Sequence, residues 1–462
     1  MQGAGFSADS GATRGSPADA PSTEVPNLTW WLCRPQKCLA VHGSPLPHSP
    51  ASFADFGSTA LGRVDLLGRN KVLPGMAKKG DPRSASAKIE KNEFKFKSLS
   101  CWSYNIAVGC RHGCRFCYVP AAQQTGRGKK AENTGALSVA LREFGVQDAD
   151  AEWGQYVLFR PWDETQFLAS LRRAENTPLK MLNRDGNRAI ILCSTTDPYQ
   201  TVPVPGNPQK QKLLNHHARF LVRKALELIL QHSTLNVRIL TRSPLAREDF
   251  DLFKKFGDRL LFGMSIPTLN DRLLKIYEPH APSARQRIET LEKAAAAGVP
   301  LYVAVAPTYP ECDEDDLKAT LKAIRPLKPL TVFHEPINIR AENVERIATH
   351  AAGLTPPVKL RTEVFATPET WRRYAVEQLM AMQKVATELG MEDHLHLWPD
   401  KKLRSEGAFM KARRDEFKRA TAGRPATARE SLGRRAADQA GFQEFLRWLD
   451  HWHSRISEWP GK

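Results

Sequence analysis

Residues 104–120 read Y-N-I-A-V-G-C-R-H-G-C-R-F-C-Y-V-P, and this segment decides how the rest of the sequence is understood. Within it Cys110, Cys114 and Cys117 are separated by three and then two residues, so three thiols lie on one compact loop. A four-iron, four-sulfur cluster is normally held by four thiolates. A loop that offers only three would leave one iron free to bind a group that is not protein.

The pattern Cys-x3-Cys-x2-Cys, with Phe116 directly before the last cysteine, resembles the cluster loop of radical S-adenosylmethionine (radical SAM) enzymes. The longer run G-C-R-H-G-C-R-F-C-Y, followed far downstream by T-R-S and E-P-H-A-P, resembles the spore photoproduct lyase-like subgroup of that superfamily. The resemblance implies a 4Fe-4S cluster on Cys110, Cys114 and Cys117, with S-adenosylmethionine on the open iron. It also implies that an electron from a donor such as a flavodoxin or ferredoxin cleaves S-adenosylmethionine to a 5′-deoxyadenosyl radical.

Two other uses of these cysteines have to be weighed. His112 lies between the first two cysteines, so His112 and the three thiols could supply the four nitrogen and sulfur ligands that zinc prefers. Zinc motifs usually pair two separated two-ligand knuckles instead of crowding one loop. A disulfide framework is disfavoured, because 8 Cys in 462 residues without a secretory leader are typical of a reduced cytosolic protein. We therefore predict a cytoplasmic protein.

The composition is that of a globular enzyme with a basic surface. Hydrophobic residues make up 41% and charged residues 25% of the sequence. Lys and Arg number 67 against 50 Asp and Glu, which gives a formal net charge of +17. This charge favours DNA, another nucleic acid or an anionic substrate as partner, although a solvated basic surface explains it equally well. No apolar run approaches the ~20 residues needed to span a bilayer, so we expect no membrane segment.

The sequence divides into three regions. Residues 1–75 are rich in Gly, Ala, Ser and Pro and are predicted to form a disordered tail, with Met76 as an alternative start. Residues 76–340 alternate short apolar strands with amphipathic helices, which predicts the core barrel. Residues 341–462 are predicted to be a helical, basic extension, with helices at 368–389 and 441–453 and a last strand at 394–398.

The strand and helix pattern of the core predicts the fold class. The predicted strands cover 102–108, 155–160, 188–193, 236–241, 260–266, 301–306 and 331–334, and the predicted helices cover 163–175, 210–231, 247–256, 284–297 and 314–324. A basic turn at 126–130 and a short helix at 135–144 follow the cysteine loop. Such alternation indicates an α/β fold with a parallel sheet, a partial (β/α)6 TIM-like barrel of the radical SAM type. Its active site is expected at the C-terminal ends of the strands.

Four residues near these strand ends are predicted to contact S-adenosylmethionine. The resemblance implies that Arg242 and Ser265 bind its carboxylate, and a guanidinium suits that contact. Tyr118 is predicted to stack near the adenine, although an aromatic residue that supports the loop is an equal alternative. Glu278 is predicted to bind ribose hydroxyls, and capping of the following helix by Ser283 is the alternative for that loop.

Five further residues are candidates for contact with the substrate. The resemblance implies a hydrogen-donating cysteine in a C-T-S-D stretch, and matching Asp197 to that stretch places Ser194 in the cysteine position, next to Cys193. A slip by one place on a strand turns a side chain to the opposite face, so a buried structural role is the alternative for Cys193. His334 and Glu335 end the last core strand and are predicted to face the substrate.

These observations predict a radical SAM enzyme of the lyase-like kind that abstracts hydrogen from an unidentified substrate. A DNA lesion or another nucleic acid is the first candidate for that substrate. One alternative is radical modification of a peptide or small metabolite. The other is a zinc-stabilised nucleic-acid-binding module without radical chemistry.

Overall fold

An eight-stranded sheet forms the centre of the molecule. The computed structural model describes residues 31–32, 86–92, 100–120, 145–182, 188–353, 360–405 and 428–455. The strands within these ranges are β1 Trp31–Leu32, β2 Ile89–Lys91, β3 Trp102–Tyr104, β4 Ala107–Val108, β5 Leu158–Phe159, β6 Ala189–Leu192, β7 Asn236–Thr241, β8 Leu260–Ser265, β9 Leu301–Thr308, β10 Thr331–Pro336 and β11 Leu395–Leu397. The sheet has the order β11-β10-β9-β8-β7-β6-β3-β2, and its neighbouring strands are parallel except for the β2/β3 pair. The predicted α/β class is confirmed.

Helices cover the outer face of this sheet. The described α-helices are α1 Glu164–Glu175, α2 Pro208–His232, α3 Phe250–Phe256, α4 Asp271–Tyr277, α5 Ala284–Ala296, α6 Glu314–Ile324, α7 Asn343–Ala352, α8 Pro368–Glu388 and α9 Ala428–Arg455. Side-chain caps begin several of these helices: Asp163 caps α1, and Ser283 caps α5 with a capping box to Gln286. Burial of the apolar helix faces against the strands forms the main core.

A second, smaller sheet differs from the prediction. The predicted strand 102–108 is two strands, because the chain leaves β3 at Asn105 and continues as β4 in a three-stranded sheet of order β1-β5-β4. The predicted strand 155–160 is β5, which pairs antiparallel with both neighbours and takes no part in the parallel sheet. Strand β1 is the part of the predicted N-terminal tail that the structure describes. The small sheet directs the cysteine loop over the end of the barrel.

The parallel sheet continues past residue 340, where the predicted core ends. Strand β11 pairs in parallel with β10, and α8 packs between them and α6. The predicted helix 247–256 is a 3-10 turn, Pro244–Asp249, followed by α3. Helices α4 and α7 were not predicted from the sequence. The predicted turn 126–130 and helix 135–144 lie outside the described residues. None of the described helices combines the length and apolarity that crossing a bilayer requires.

Candidate functional site

A cavity of about 280 Å³ opens at the C-terminal ends of the parallel strands. Its wall includes Ile191 of β6, Leu240 of β7, Ala304 of β9 and Glu335 of β10, so the sheet curves around it. All three motif cysteines also line this cavity. The structure therefore brings the cysteine loop to the edge of the sheet where a barrel carries its chemistry.

Two glycines let the cysteine loop fold closely against its neighbours. Gly109 has φ +89°, and a Cβ there would lie 2.4 Å from the carbonyl oxygen of Tyr156. Gly113 has φ +61° and packs on Gly154, with a Cβ position 3.1 Å from its Cα. Only glycine fits both the conformation and the space at these positions. The course of the backbone thus requires the two glycines of the sequence G-C-x-x-G-C.

Side chains from distant elements hold the loop from outside. Arg346 of α7 donates from Nη1 to the carbonyl oxygens of Arg115 and Cys117, both at 2.8 Å. The backbone N–H of Arg111 donates to Gln200 Oε1 at 2.6 Å. Because a charge-assisted bond to a carbonyl is stronger than a neutral one, Arg346 fixes the backbone between the last two cysteines.

The motif cysteines are free thiols with restricted access to solvent. Cys110 and Cys114 are buried and Cys117 is partly exposed. Burial raises the pKa of Cys110 to about 12, with a smaller contribution from the charge of Asp197, and burial also raises the pKa of Cys114 and Cys117. In the described residues no three His, Cys, Asp or Glu side chains are arranged closely enough to hold a metal ion as they stand.

Asp197 joins the cysteine loop to the barrel. Its Oδ1 accepts from Thr241 Oγ1 at 2.7 Å and from the N–H of Tyr199 at 2.8 Å, and its Oδ2 accepts from the N–H of Arg242 at 2.9 Å. His112 Nε2 lies 3.1 Å from Oδ2. Burial alone would raise the pKa of Asp197, but the charge of His112 and these hydrogen bonds lower it to about 2. The Asp197 carboxylate is therefore a fixed anion that lies against the imidazole of His112 in the cysteine loop.

Of the four predicted cofactor residues, Arg242 and Tyr118 line the cavity, and Glu278 supports Arg242. Glu278 accepts from Arg242 Nε at 3.0 Å and from Arg287, and these charges lower its pKa to about 2 in spite of its burial. Ser265 donates to the carbonyl oxygen of Ala306 at 2.9 Å. Neither Ser265 nor Glu278 lines the cavity. Both side chains make bonds within the protein, and Glu278 orients the Arg242 guanidinium.

Cys193 and Ser194 both line the cavity, which strand alternation did not predict. Cys193 has φ +66°, in the left-handed region that a residue with a side chain rarely adopts. Strand β6 ends before it at Leu192, so Cys193 and the residues up to Asp197 line the same cavity wall. Burial raises the pKa of the Cys193 thiol well above its usual range. Asn105 donates to Ser194 Oγ at 3.3 Å.

Glu335 and Tyr118 share one partner on the opposite wall. Arg340 Nη2 lies 3.7 Å from Glu335 Oε1 and 3.1 Å from Asp400 Oδ2, and its Cζ lies 5.6 Å from the centroid of the Tyr118 ring. His334 points away from the cavity and its Nε2 lies 3.1 Å from Thr308 Oγ1. Burial lowers its pKa to about 3. The prediction that His334 faces the substrate is therefore wrong, because neighbouring residues on a strand face opposite sides.

Comparison with known proteins gives relatives without an assigned function. No protein-family model matches the chain. The uncharacterised protein ORF301 of Acidianus two-tailed virus is 30% identical over 251 residues, which span 53% of this chain and 70% of the viral protein. The chain belongs to the ORF301 family. The uncharacterised protein MJ0683 of Methanocaldococcus jannaschii is 25% identical over 282 residues, 61% of this chain and 85% of that protein.

Solved structures similar to this ORF301-family chain are enzymes. A spore photoproduct lyase complexed with dinucleoside spore photoproduct has a TM-score of 0.41 at 13% identity, over 68% of this chain and 79% of that one. The radical S-adenosylmethionine methyltransferase TsrM from Kitasatospora setae has a TM-score of 0.38 at 12% identity, over 68% of this chain and 56% of that one. With TM-scores below 0.5, these matches say nothing of substrate or reaction.

Sequence reasoning missed several residues that build the site in this ORF301-family protein. Trp398 follows β11 and lines the cavity, with its ring stacked on Phe333 at a centroid distance of 4.2 Å. Asn338 lies on the same wall and donates to Glu335 Oε1 at 2.5 Å. Arg340 and Arg346 come from the segment after β10, where the strand pattern ends. The polar run N-I-R-A-E-N at 338–343, one residue after H-E-P, was the available signal for Asn338 and Arg340.

Proposed function

We propose that this chain is a radical SAM enzyme whose 4Fe-4S cluster is held by Cys110, Cys114 and Cys117. The observation that carries the proposal is the placement of these three cysteines on one tightly folded loop that lines the cavity of a parallel barrel. Three thiolates match a cluster with one open iron. The sulfurs would close around the iron when it binds, as expected where metal binding and local folding are coupled.

When bound, the cluster and S-adenosylmethionine together supply a 5′-deoxyadenosyl radical that abstracts hydrogen from the substrate. Arg242 presents its guanidinium to the carboxylate of S-adenosylmethionine, and Glu278 holds that guanidinium in place. Tyr118 offers an aromatic face beside the last cysteine. Asp197 acts as a positioning residue, since its bonds to β7 and its contact with His112 set the distance between the loop and Arg242.

The residues on the rest of the wall are proposed to meet the substrate. Cys193 and Ser194 lie where a hydrogen atom could be returned to a substrate radical, and the Cys193 thiol is the better donor because its S–H bond is weaker. Glu335, Asn338 and Arg340 offer hydrogen-bonding groups, and Trp398 offers an apolar ring. This combination fits a planar group with a polar edge.

We propose nucleic acid, such as a DNA lesion, as the substrate and a lyase-like reaction as the outcome. The net charge of +17 and the aromatic and polar wall of the cavity support this choice. A cytoplasmic location and an electron donor such as a flavodoxin or ferredoxin belong to the same proposal. Oligonucleotide binding should be tight at low salt and weaken steeply toward physiological salt, whereas an enzyme that acts on a peptide or metabolite would lack tight, salt-dependent oligonucleotide binding.

Anaerobic reconstitution with iron and sulfide tests the proposal. We expect a brown protein with about four irons per chain that forms 5′-deoxyadenosine only with reductant. Cys114→Ala should lose both properties, while Cys312→Ala, a buried cysteine outside the cavity, should keep them. A colourless protein that binds one zinc ion per chain would overturn the cluster assignment.

A further inference from the structure

The outer side of the cysteine loop carries a set of cations that the proposed chemistry does not use. The cations are Arg111 and Arg115 of the loop and Lys275 of α4, and the uncharged imidazole of His280 lies beside them in the turn after α4. None of these four residues lines the cavity, whereas the three cysteines between and beside them do. The loop therefore has an inner face toward the cofactor site and a separate basic outer face.

Close backbone contacts join α4 to this outer face. The N–H of Arg115 donates to the carbonyl oxygen of Tyr277 at 2.9 Å, and Arg115 Nε donates to that of Ile276 at 2.6 Å. The N–H of His280 donates to the carbonyl oxygen of His112 at 3.3 Å. Lys275 Nζ donates to the carbonyl oxygen of Pro279 at 2.7 Å. The cations are thus held in a fixed arrangement over the loop.

Arg115 and Lys275 give this face a positive charge. Arg115 and Lys275 donate to backbone carbonyls, and neither lies within ion-pair distance of a carboxylate in the part of the chain that the structure describes. Burial, and then the charges of Arg111, Lys275 and Arg115, lower the pKa of His280 to about 4. These groups therefore act on one another across a single patch. Lys275 and His280 are exposed, and Arg115 is half-buried.

Two cations of the patch are also direct chain neighbours of the cluster ligands, since Arg111 follows Cys110 and Arg115 follows Cys114. Arg115 and Phe116 are the two residues between Cys114 and Cys117, and both are partly exposed. Arg346 fixes this segment from the other side through the carbonyl oxygens of Arg115 and Cys117. A protein bound here would approach the cluster without entering the cavity, so substrate and S-adenosylmethionine would keep their access.

We infer that the basic patch formed by Arg111, Arg115 and Lys275 is the docking surface for an acidic one-electron carrier protein. This inference rests on the proposed function, since it names the partner of the same cluster. The carrier would lose one electron and the oxidised cluster would gain it, with no bond made or broken. Complementary charge would steer the encounter and make its rate depend on salt.

The test uses a reduced flavodoxin as the acidic carrier and dithionite as a small reductant. In the reconstituted full chain, Lys275→Glu should slow flavodoxin-driven formation of 5′-deoxyadenosine about tenfold at low salt and leave the dithionite-driven rate unchanged. Lys275→Gln, which keeps a donor for Pro279, should have a smaller effect of the same kind. The matched control is Lys254→Glu, which should change neither rate. Lys254 is exposed at the C-terminal end of α3, where the chain leads into the N-terminal end of β8, whereas the patch lies at the C-terminal ends of the strands.

Binding of flavodoxin to the metal-free protein gives a second measure that does not need the cluster. Lys275→Glu should weaken this binding about tenfold at low salt, and the difference should disappear near about 0.5 M salt. Equal weakening by Lys254→Glu, or no weakening by Lys275→Glu, would overturn the docking surface. So would an equal loss of the dithionite-driven rate. Failure of the wild-type chain to take up iron would instead refute the proposed function, while the binding measurement would still decide the patch.

Discussion

The two walls of the cavity are held in different ways. On the loop wall, Asp197 is buried and accepts three hydrogen bonds of 2.7 to 2.9 Å, with His112 at 3.1 Å. On the opposite wall, the side chain of Arg340 is 34% exposed and divides its charge between Asp400 at 3.1 Å and Glu335 at 3.7 Å. Buried charge fixes the loop wall, whereas the partly exposed side chain of Arg340 on the opposite wall can move at little cost in free energy. This difference suits a constant cofactor on one side and a changing substrate on the other.

Removal of the buried Asp197 carboxylate should give the largest loss of stability. Asp197→Ala leaves the Thr241 hydroxyl and two backbone N–H groups without their acceptor and removes the carboxylate beside His112, which should lower the free energy of unfolding by about 3–5 kcal/mol. Iron content after reconstitution should also fall, because the loop loses its attachment to β7. Chemical denaturation and iron analysis measure the two effects.

Asp249 provides the matched control for this substitution. It is also a buried carboxylate, with Tyr199 and Arg223 as donors, but it lies outside the cavity lining. Asp249→Asn should lower stability and leave the iron content per folded chain unchanged. If both variants lost iron equally, the loop wall would depend on general stability and the contrast between the walls would fail.

Acid should weaken the loop wall over a defined pH range. The pKa of Asp197 is lowered to about 2, below the usual value near 4, so the folded protein releases this proton more readily than the unfolded chain. Its contribution is therefore fully present above about pH 4 and is lost as the pH falls toward 2, with a total of about 2 kcal/mol. The free energy of unfolding of wild type minus that of Asp197→Asn should show this dependence. A flat difference would mean that the carboxylate is not held as a buried anion.

Features of the fold and the site that depend on contacts between residues close in sequence could be predicted, whereas features that depend on contacts between distant residues could not. Strand β7 and helix α6 have the predicted bounds, since their apolar spacing and the Asp313 cap are local signals. Helices α4 and α7 have only 7 and 10 residues, so their periodicity is short. The cysteine motif is local and could be recognised in the sequence. The contact of His112 with Asp197 instead depends on how the parallel sheet curves around the cavity. The face of Cys193 depends on a single positive φ, which no residue pattern encodes.

Replacement of Trp398 should affect the adjustable wall without touching the loop wall. Trp398→Leu removes the stack on Phe333, which should cost about 1 kcal/mol of unfolding free energy beyond the change in buried area. Iron content and substrate-free formation of 5′-deoxyadenosine should stay at wild-type levels. Oligonucleotide binding at low salt should weaken if the ring contacts a base. Loss of iron in this variant would show that the two walls are not independent.

Arg340→Met should give the smallest change in stability. Methionine keeps most of the aliphatic stem and removes the charge, and partly exposed ion pairs typically contribute less than about 1 kcal/mol. The free energy of unfolding should therefore change by less than that amount, because Asp400 also accepts from the N–H of Lys402 at 2.9 Å and keeps this partner. Activity on a true substrate should fall much more than stability, since Glu335 and Tyr118 lose their common neighbour. A large stability loss, measured by denaturation beside Asp197→Ala, would mean that this wall is as rigid as the other and serves the cofactor as well.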